Sequence, residues 1–171
     1  MRKRHLTLLC TGIVAFLFAF ATPIQAGPPE TASGKWFYLP SIIDAREAGC
    51  NTFLNTFEIG LWTGTFTGDS TESGKVVIHC SGRWSFNAIV TFSSVTVDGR
   101  SGTLEMSVVG SRLDATSDWY GHWVITDGSA DLENLRGQGN WWGLGFVPPT
   151  PPNLPEFGEI DYDGIYHFEP N

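Results

Sequence analysis

Positive charge is scarce in this chain: 10 Lys and Arg stand against 18 Asp and Glu, giving a formal net charge of −8 over 171 residues. Phosphate backbones are gripped by clustered Lys and Arg, so this balance argues against nucleic acid as a partner. Cysteine is sparse at three residues, and none stand as Cys-x-x-Cys. No Gly-x-Ser-x-Gly elbow, His-Glu-x-x-His pair or phosphate loop occurs either. The common signatures of hydrolases, metalloproteases, nucleotide enzymes and thiol redox proteins are therefore missing. There is no Asn-x-Ser/Thr sequon and no internal repeat. What is plentiful is apolar and ring-bearing: 42% hydrophobic residues and 13% aromatics build a core rather than a disordered chain. The length suits one domain.

The start is an address. Met1-Arg2-Lys3-Arg4-His5 is basic, residues 6–21 are uncharged and mostly apolar, and Thr22-Pro23-Ile24-Gln25-Ala26 ends on a small residue. That tripartite order reads as a cleavable secretory signal over residues 1–26, cut after Ala26. The apolar run is shorter than the ~20 residues of a membrane span, so no stable membrane insertion is expected after cleavage. Cys10 does not read as a lipidation site, because most of the apolar run follows it. The expected location is secreted or periplasmic. Cys50 and Cys80 then remain in an oxidising compartment, and a disulfide between them is expected.

Residues 27–52 read as an N-terminal arm, with one short helix over 41–49 between Ser41 as N-cap and Gly49 as stop. Residues 53–171 read as a β domain. From Phe53 onward the pattern alternates with a period of two, broken by turn chemistry. Lys75 to Phe86 reads as one strand with Val76, Ile78, Cys80, Gly82, Trp84 and Phe86 on its dry side. Asp98-Gly99 and Asp127-Gly128 mark tight turns. Trp119 to Thr126 alternates, and Ile160, Tyr162, Gly164, Tyr166 and Phe168 share a face. Seven or eight such strands imply a sandwich or a barrel. Five prolines within residues 147–155 make that stretch an extended surface loop.

The run Gly121-His122-Trp123-Val124-Ile125-Thr126-Asp127-Gly128, followed through Leu132, Leu135 and Arg136-Gly137-Gln138-Gly139, resembles a segment of small bacterial proteins with an allene-oxide-cyclase-like barrel. Val97 to Leu104 and Tyr162 to Phe168 add to that resemblance, which spans residues 57–168. It implies an all-β, eight-stranded antiparallel barrel with a central cavity for an apolar small molecule, and homo-oligomers. The shared residues are mostly turn glycines, which specify backbone geometry rather than chemistry. No catalytic residue of the cyclases or of the related dirigent proteins maps onto a position here. Two adjacent glycines usual near the strand end are replaced by Asp127-Gly128-Ser129-Ala130.

Among chemical candidates, His79, His122 and His167 sit on the polar faces of three strands and read as solvated, not as metal ligands. Asp161 and Asp163, with Asp127 and Asp131, match no calcium loop. No metal and no cofactor is expected. The aromatic residues are more informative. Trp62, Trp84, Trp123, Tyr162 and Tyr166 point by alternation to one interior and form the candidate ligand site. Either those rings fill the barrel or they line a void, and Gly82, Gly121 and Gly164 favour the void by removing side chains from the inner face. Trp141 and Trp142 are adjacent, so at most one lines a given face. This reading favours binding an apolar or aromatic small molecule over catalysis. A cyclase or isomerase in the same cavity, and a structural or carbohydrate-binding envelope protein, are the alternatives. The first testable expectation concerns export: N-terminal sequencing of the exported protein should begin at Gly27, and an intact Met1 there refutes cleavage.

Overall fold

The computed structural model describes residues 27–144 and 157–170. Eight antiparallel strands run in chain order around a closed barrel. They are β1 (Glu30–Ala48), β2 (Asn51–Gly64), β3 (Thr67–Ile78), β4 (Trp84–Val97), β5 (Arg100–Arg112), β6 (Trp119–Gly128), β7 (Leu135–Gly143) and β8 (Gly158–Phe168). The ring closes where β1 pairs with β8, in register from Glu30↔Tyr166 to Tyr38↔Gly158. On the outer face of that seam Lys35 pairs with Glu159 and, at 3.0 Å, with Asp161. The Pro-rich stretch at 147–155 and the signal at 1–26 lie outside the described residues.

Three local expectations are corrected. Residues 41–48 are not a helix but the far half of β1, paired with Asn51–Phe57 of β2 with one register shift between Ile42 and Asp44. Ile42 and Ile43 are β-branched and suit a strand, and a partner strand outweighs a weak helical signal. Gly49, at φ 65°, serves the hairpin turn. From Glu30 onward the expected arm is thus part of the barrel. Lys75–Phe86 is likewise two strands, because the chain reverses over residues 79–83. There His79 accepts from Gly82 N–H at 2.8 Å, and Gly82 holds φ 84°. The Asp98-Gly99 turn stands as expected, with positive φ at both residues, as a two-residue hairpin requires, whereas Asp127 and Gly128 stay in β6, paired with Glu105 and Leu104, and the chain turns after them over residues 129–134.

Alternation decides what lies inside. Trp36 and Tyr38 of β1, Trp62 of β2, Val90 and Phe92 of β4, Leu104 and Met106 of β5, Trp123 of β6, Trp141 of β7 and Tyr162 of β8 are all buried. One end of the barrel is an apolar plug. A 310 turn at Ala130–Leu132 contributes the fully buried Leu132, whose side chain lies over Gly102, to a core that also buries Phe66, Val97 and Leu135 completely. At that end Tyr166 donates to Asp98 and, at 3.1 Å, to Glu30, tying the start of β1 to the β4–β5 turn.

At the opposite end the β1–β2 hairpin projects past the barrel, and residues 41–50 are exposed throughout. Its tip is stapled to the β3–β4 turn by the Cys50–Cys80 disulfide, with Cα atoms 5.1 Å apart. Cys80 is exposed, not on a dry face. Asn51 Oδ1 also accepts from Cys80 N–H at 3.0 Å, reinforcing the staple. Closing a loop of this length stabilises by roughly 3.5–4 kcal/mol in the chain-entropy view. Replacing both cysteines by Ala should therefore lower the melting temperature and expose amides of residues 42–55 to hydrogen exchange before those of the ring. Unchanged exchange in that hairpin would leave the staple without a role.

Candidate functional site

The end of the interior opposite the apolar plug is polar, and its chemistry comes from β2 and β3. Along β2 the inward residues are Thr56, Glu58 and Trp62, while Phe57, Ile59 and Leu61 are exposed. Along β3 the inward residues include Ser70, Glu72 and Val76. Glu58 and Glu72 are direct cross-strand partners, so their β-carbons stand about 5 Å apart. Both are buried, Glu72 at 1% exposure. Neither forms an ion pair among the described residues.

Burial governs the protonation of this pair. It pushes the Glu58 carboxyl up to about 7. Glu72 is raised well above the ordinary carboxylate range, by burial first and by the charge of Glu58 second. The pair therefore retains a proton at neutral pH and titrates as a unit. Tyr38, on β1, is within electrostatic reach of both carboxyls and of Arg112, and burial holds its phenol well above the usual value. Arg112, at the end of β5, is held differently. Its guanidinium lies 3.8 Å from the Trp84 ring and 4.8 Å from that of Trp119, a stacked cation–π arrangement. Desolvation draws its pKa below the ordinary value.

Several polar atoms here are buried without a hydrogen-bond partner: both Glu72 oxygens, Thr56 Oγ1, Trp36 Nε1 and Arg112 Nε. Buried polar atoms in folded proteins are nearly always satisfied, so those of Trp36 and Glu72, which line one gap, call for an occupant. The other deep indoles contrast sharply. Trp62 Nε1 donates to Ser70 Oγ at 2.9 Å, Trp123 Nε1 to Asp163 O at 3.0 Å, and Trp141 Nε1 to Val109 O at 3.2 Å. Beside Glu72 is a cavity of about 20 Å³, walled by Trp36, Trp62, Phe86, Trp123 and Trp141. That volume holds one water or a guest slightly larger.

The five residues expected to line a ligand site are divided by the structure. Trp62, Trp123 and Tyr162 meet, with Tyr162 5.1 Å from Trp62 and 6.4 Å from Trp123. Tyr162 is anchored by donating to Thr63 O at 3.0 Å. Trp84 stands apart at the polar end over Arg112. Tyr166 belongs to the apolar end and its clasp with Asp98 and Glu30. The glycines do not open the void expected of them: a β-carbon at Gly121 would overlap the Trp141 ring, and one at Gly164 the Trp123 ring. Indoles occupy that space, and Gly82 lies in a turn. Trp141 faces inward and Trp142 outward, as alternation requires. His79, His122 and His167 stand on three separate elements, and His79 shares a hydrogen bond with Ser85. Among the described residues no three His, Cys, Asp or Glu side chains converge as a metal site.

Sequence reasoning passed over Glu58, Glu72, Thr56, Tyr38 and Arg112. A usable signal was present: placing Trp62 inside obliges Glu58, four residues earlier on the same strand, to face inside as well.

No known family model and no curated protein matches the chain. Among solved structures, it is similar to a protein of unknown function from the DUF3224 family of Shewanella oneidensis MR-1. The identity is 17% and the TM-score 0.60, over 84% of this chain and 100% of that one. A likeness at that identity speaks for the fold.

The raised carboxyls make a prediction about pH. A group whose value is higher in the folded than in the unfolded chain binds more protons when folded, so it favours folding at low pH. With an ordinary value of 4.5 and a folded value of about 7 for Glu58, its contribution declines as pH rises from 4.5 through 7. The loss is of order 3 kcal/mol. The melting temperature of Glu72→Gln should exceed that of the parent at pH 8 and fall less between pH 5 and pH 8. Parallel profiles for the two proteins would contradict the pairing.

Proposed function

We propose that this chain is an exported barrel that binds a small molecule, apolar or aromatic in its bulk, at the polar end of its interior. The supporting observation is the set of buried, unpartnered polar atoms on Glu72, Trp36, Thr56 and Arg112, of which those of Glu72 and Trp36 line a gap between aromatic walls. Sites for small ligands combine apolar walls with a few convergent polar groups. Trp84, Trp119, Phe86 and Trp141 supply the walls, with ring centroids 5.8–6.3 Å apart among them.

The family reading accompanies this one. An allene-oxide-cyclase-like barrel, a signal cleaved after Ala26, a secreted or periplasmic location and self-association together describe the protein we infer. The disulfide and the absence of a membrane-crossing helix among the described residues are compatible with that location. One observation favours a second reading. A protonated carboxyl beside an ionisable one is the equipment of general acid–base catalysis, so an isomerase or cyclase at the same end is the alternative.

Hydrophobic-probe titration tests the binding reading. An anilinonaphthalene dye should quench tryptophan fluorescence saturably, and Trp84→Ala should weaken that binding about fivefold or more at retained fold. Trp142→Ala, on the outer face, should leave it unchanged. Absence of saturable binding would favour a purely structural barrel.

A further inference from the structure

The gap beside Glu72 has a composition that goes beyond an apolar site. Its walls are the rings of Trp36, Trp62, Phe86, Trp123 and Trp141, closed by Val108 and Ile160, and the one polar side chain lining it is Glu72. Both Glu72 oxygens are unpartnered. Glu58 is the cross-strand neighbour of Glu72 and stands beside it without lining the gap. We infer that this aromatic box is a site for a small alkylammonium cation, held by ring faces and by the carboxyls of Glu72 and Glu58.

Three features carry this. Aromatic faces are electron-rich, and a box of indoles is the usual host for an ammonium group. Two carboxyls side by side repel one another once both are ionised, and a positive charge between them removes that penalty. The described residues supply no such charge: the one buried cation among them, Arg112, is taken up between Trp84 and Trp119 and makes no ion pair with either carboxyl. An inorganic cation is a poorer guest, because hard ions need several oxygen ligands and these walls are hydrocarbon rings. The size of the gap restricts the guest to ammonium or methylammonium unless rings move.

Binding then exchanges one cation for one proton. In the empty site the pair keeps a proton, and the arriving ammonium expels it to solvent, so the buried charge stays constant. The titratable groups facing the pair are Tyr38 from β1 and Arg112 from β5. From β4, β6, β7 and β8 the facing side chains are Phe86, Trp123, Trp141 and Ile160, none of which titrates. Tyr162 of β8 is engaged with Thr63 O and Phe66 N–H. Affinity should therefore rise with pH as the proton to be displaced is lost.

This inference rests on the interior being a ligand site, and its test separates the two. Methylammonium chloride is titrated into the purified protein at pH 6 and pH 8, with the Trp36 indole N–H followed by NMR, and with ethanol and sodium chloride as controls. Saturable shifts are expected for methylammonium, about a hundredfold tighter at pH 8 than at pH 6 if one proton is released throughout that range. Proton release, read by calorimetry in two buffers of different ionisation heat, should approach one per site. Glu72→Gln keeps the shape and should weaken binding at least about tenfold. Glu58→Gln provides the same reading if Glu72→Gln does not fold. Equal response to ethanol, or affinity unaffected by both variants, overturns the cation site and leaves water as the occupant. Dye binding without methylammonium binding keeps the small-molecule reading and removes this one. The reverse result keeps the cation and removes the apolar ligand.

Discussion

Closure of β1 onto β8 is the constraint from which the rest follows. A ring of eight strands has no free edge, so every backbone group along the seam is paired and the interior volume is fixed by strand number and tilt. Once that volume is set, side chains must fill it from within. The large rings do so by lying over glycines on neighbouring strands: Trp36 over Gly60, Trp141 over Gly110 and Gly121, and Trp123 over Gly139 and Gly164. A β-carbon at any of these glycines would meet an indole. Ring and glycine are therefore one packing unit, and the abundance of each in the sequence explains the other.

That coupling also explains what was legible beforehand. The all-β class, the turn at Asp98-Gly99 and the inward set of β8 follow from period-two alternation and turn chemistry, which are local properties. The helix read over 41–49 failed because its evidence was a cap and a stop, whereas the strand's evidence was its partner β2, distant information that a local pattern does not contain. The strand read through Lys75–Phe86 failed at Gly82, where the alternation happened to continue across a reversal. The glycines misled for a related reason: a missing side chain on one strand says nothing about the indole arriving from the next.

The candidate site was hidden by a different effect. In β2 the apolar residues Phe57, Ile59 and Leu61 face outward, and Thr56 and Glu58 face inward. A rule that sends apolar residues to the core assigns this strand backwards. The inversion is informative in itself. Burying two carboxyls while exposing Phe57, Ile59 and Leu61 opposes the hydrophobic effect on both faces, and a strand held in that orientation needs a stronger anchor. Trp62 provides it, wedged against Trp36, Phe92 and Tyr162 and donating to Ser70. Its position fixes the register of every residue two and four places away.

The two ends of the barrel consequently differ in how firmly they are held. At the plugged end the polar groups are satisfied: Tyr162 bridges Thr63 and Phe66, and Tyr166 bridges Asp98 and Glu30. At the other end Trp36 Nε1 and Arg112 Nε lack hydrogen-bond partners, while the Trp36 ring stacks on Tyr38 and lies over Gly60 and the guanidinium lies over Trp84. Trp62 and Trp123, by contrast, each donate an indole hydrogen bond. The same asymmetry sets the electrostatics. Charge is confined to the polar end, where a carboxyl pair sharing a proton and a caged guanidinium keep the interior close to neutral. A guest that alters that charge must be accommodated by proton exchange or by movement of Arg112, and both responses are available only at the end where the packing is not locked by hydrogen bonds.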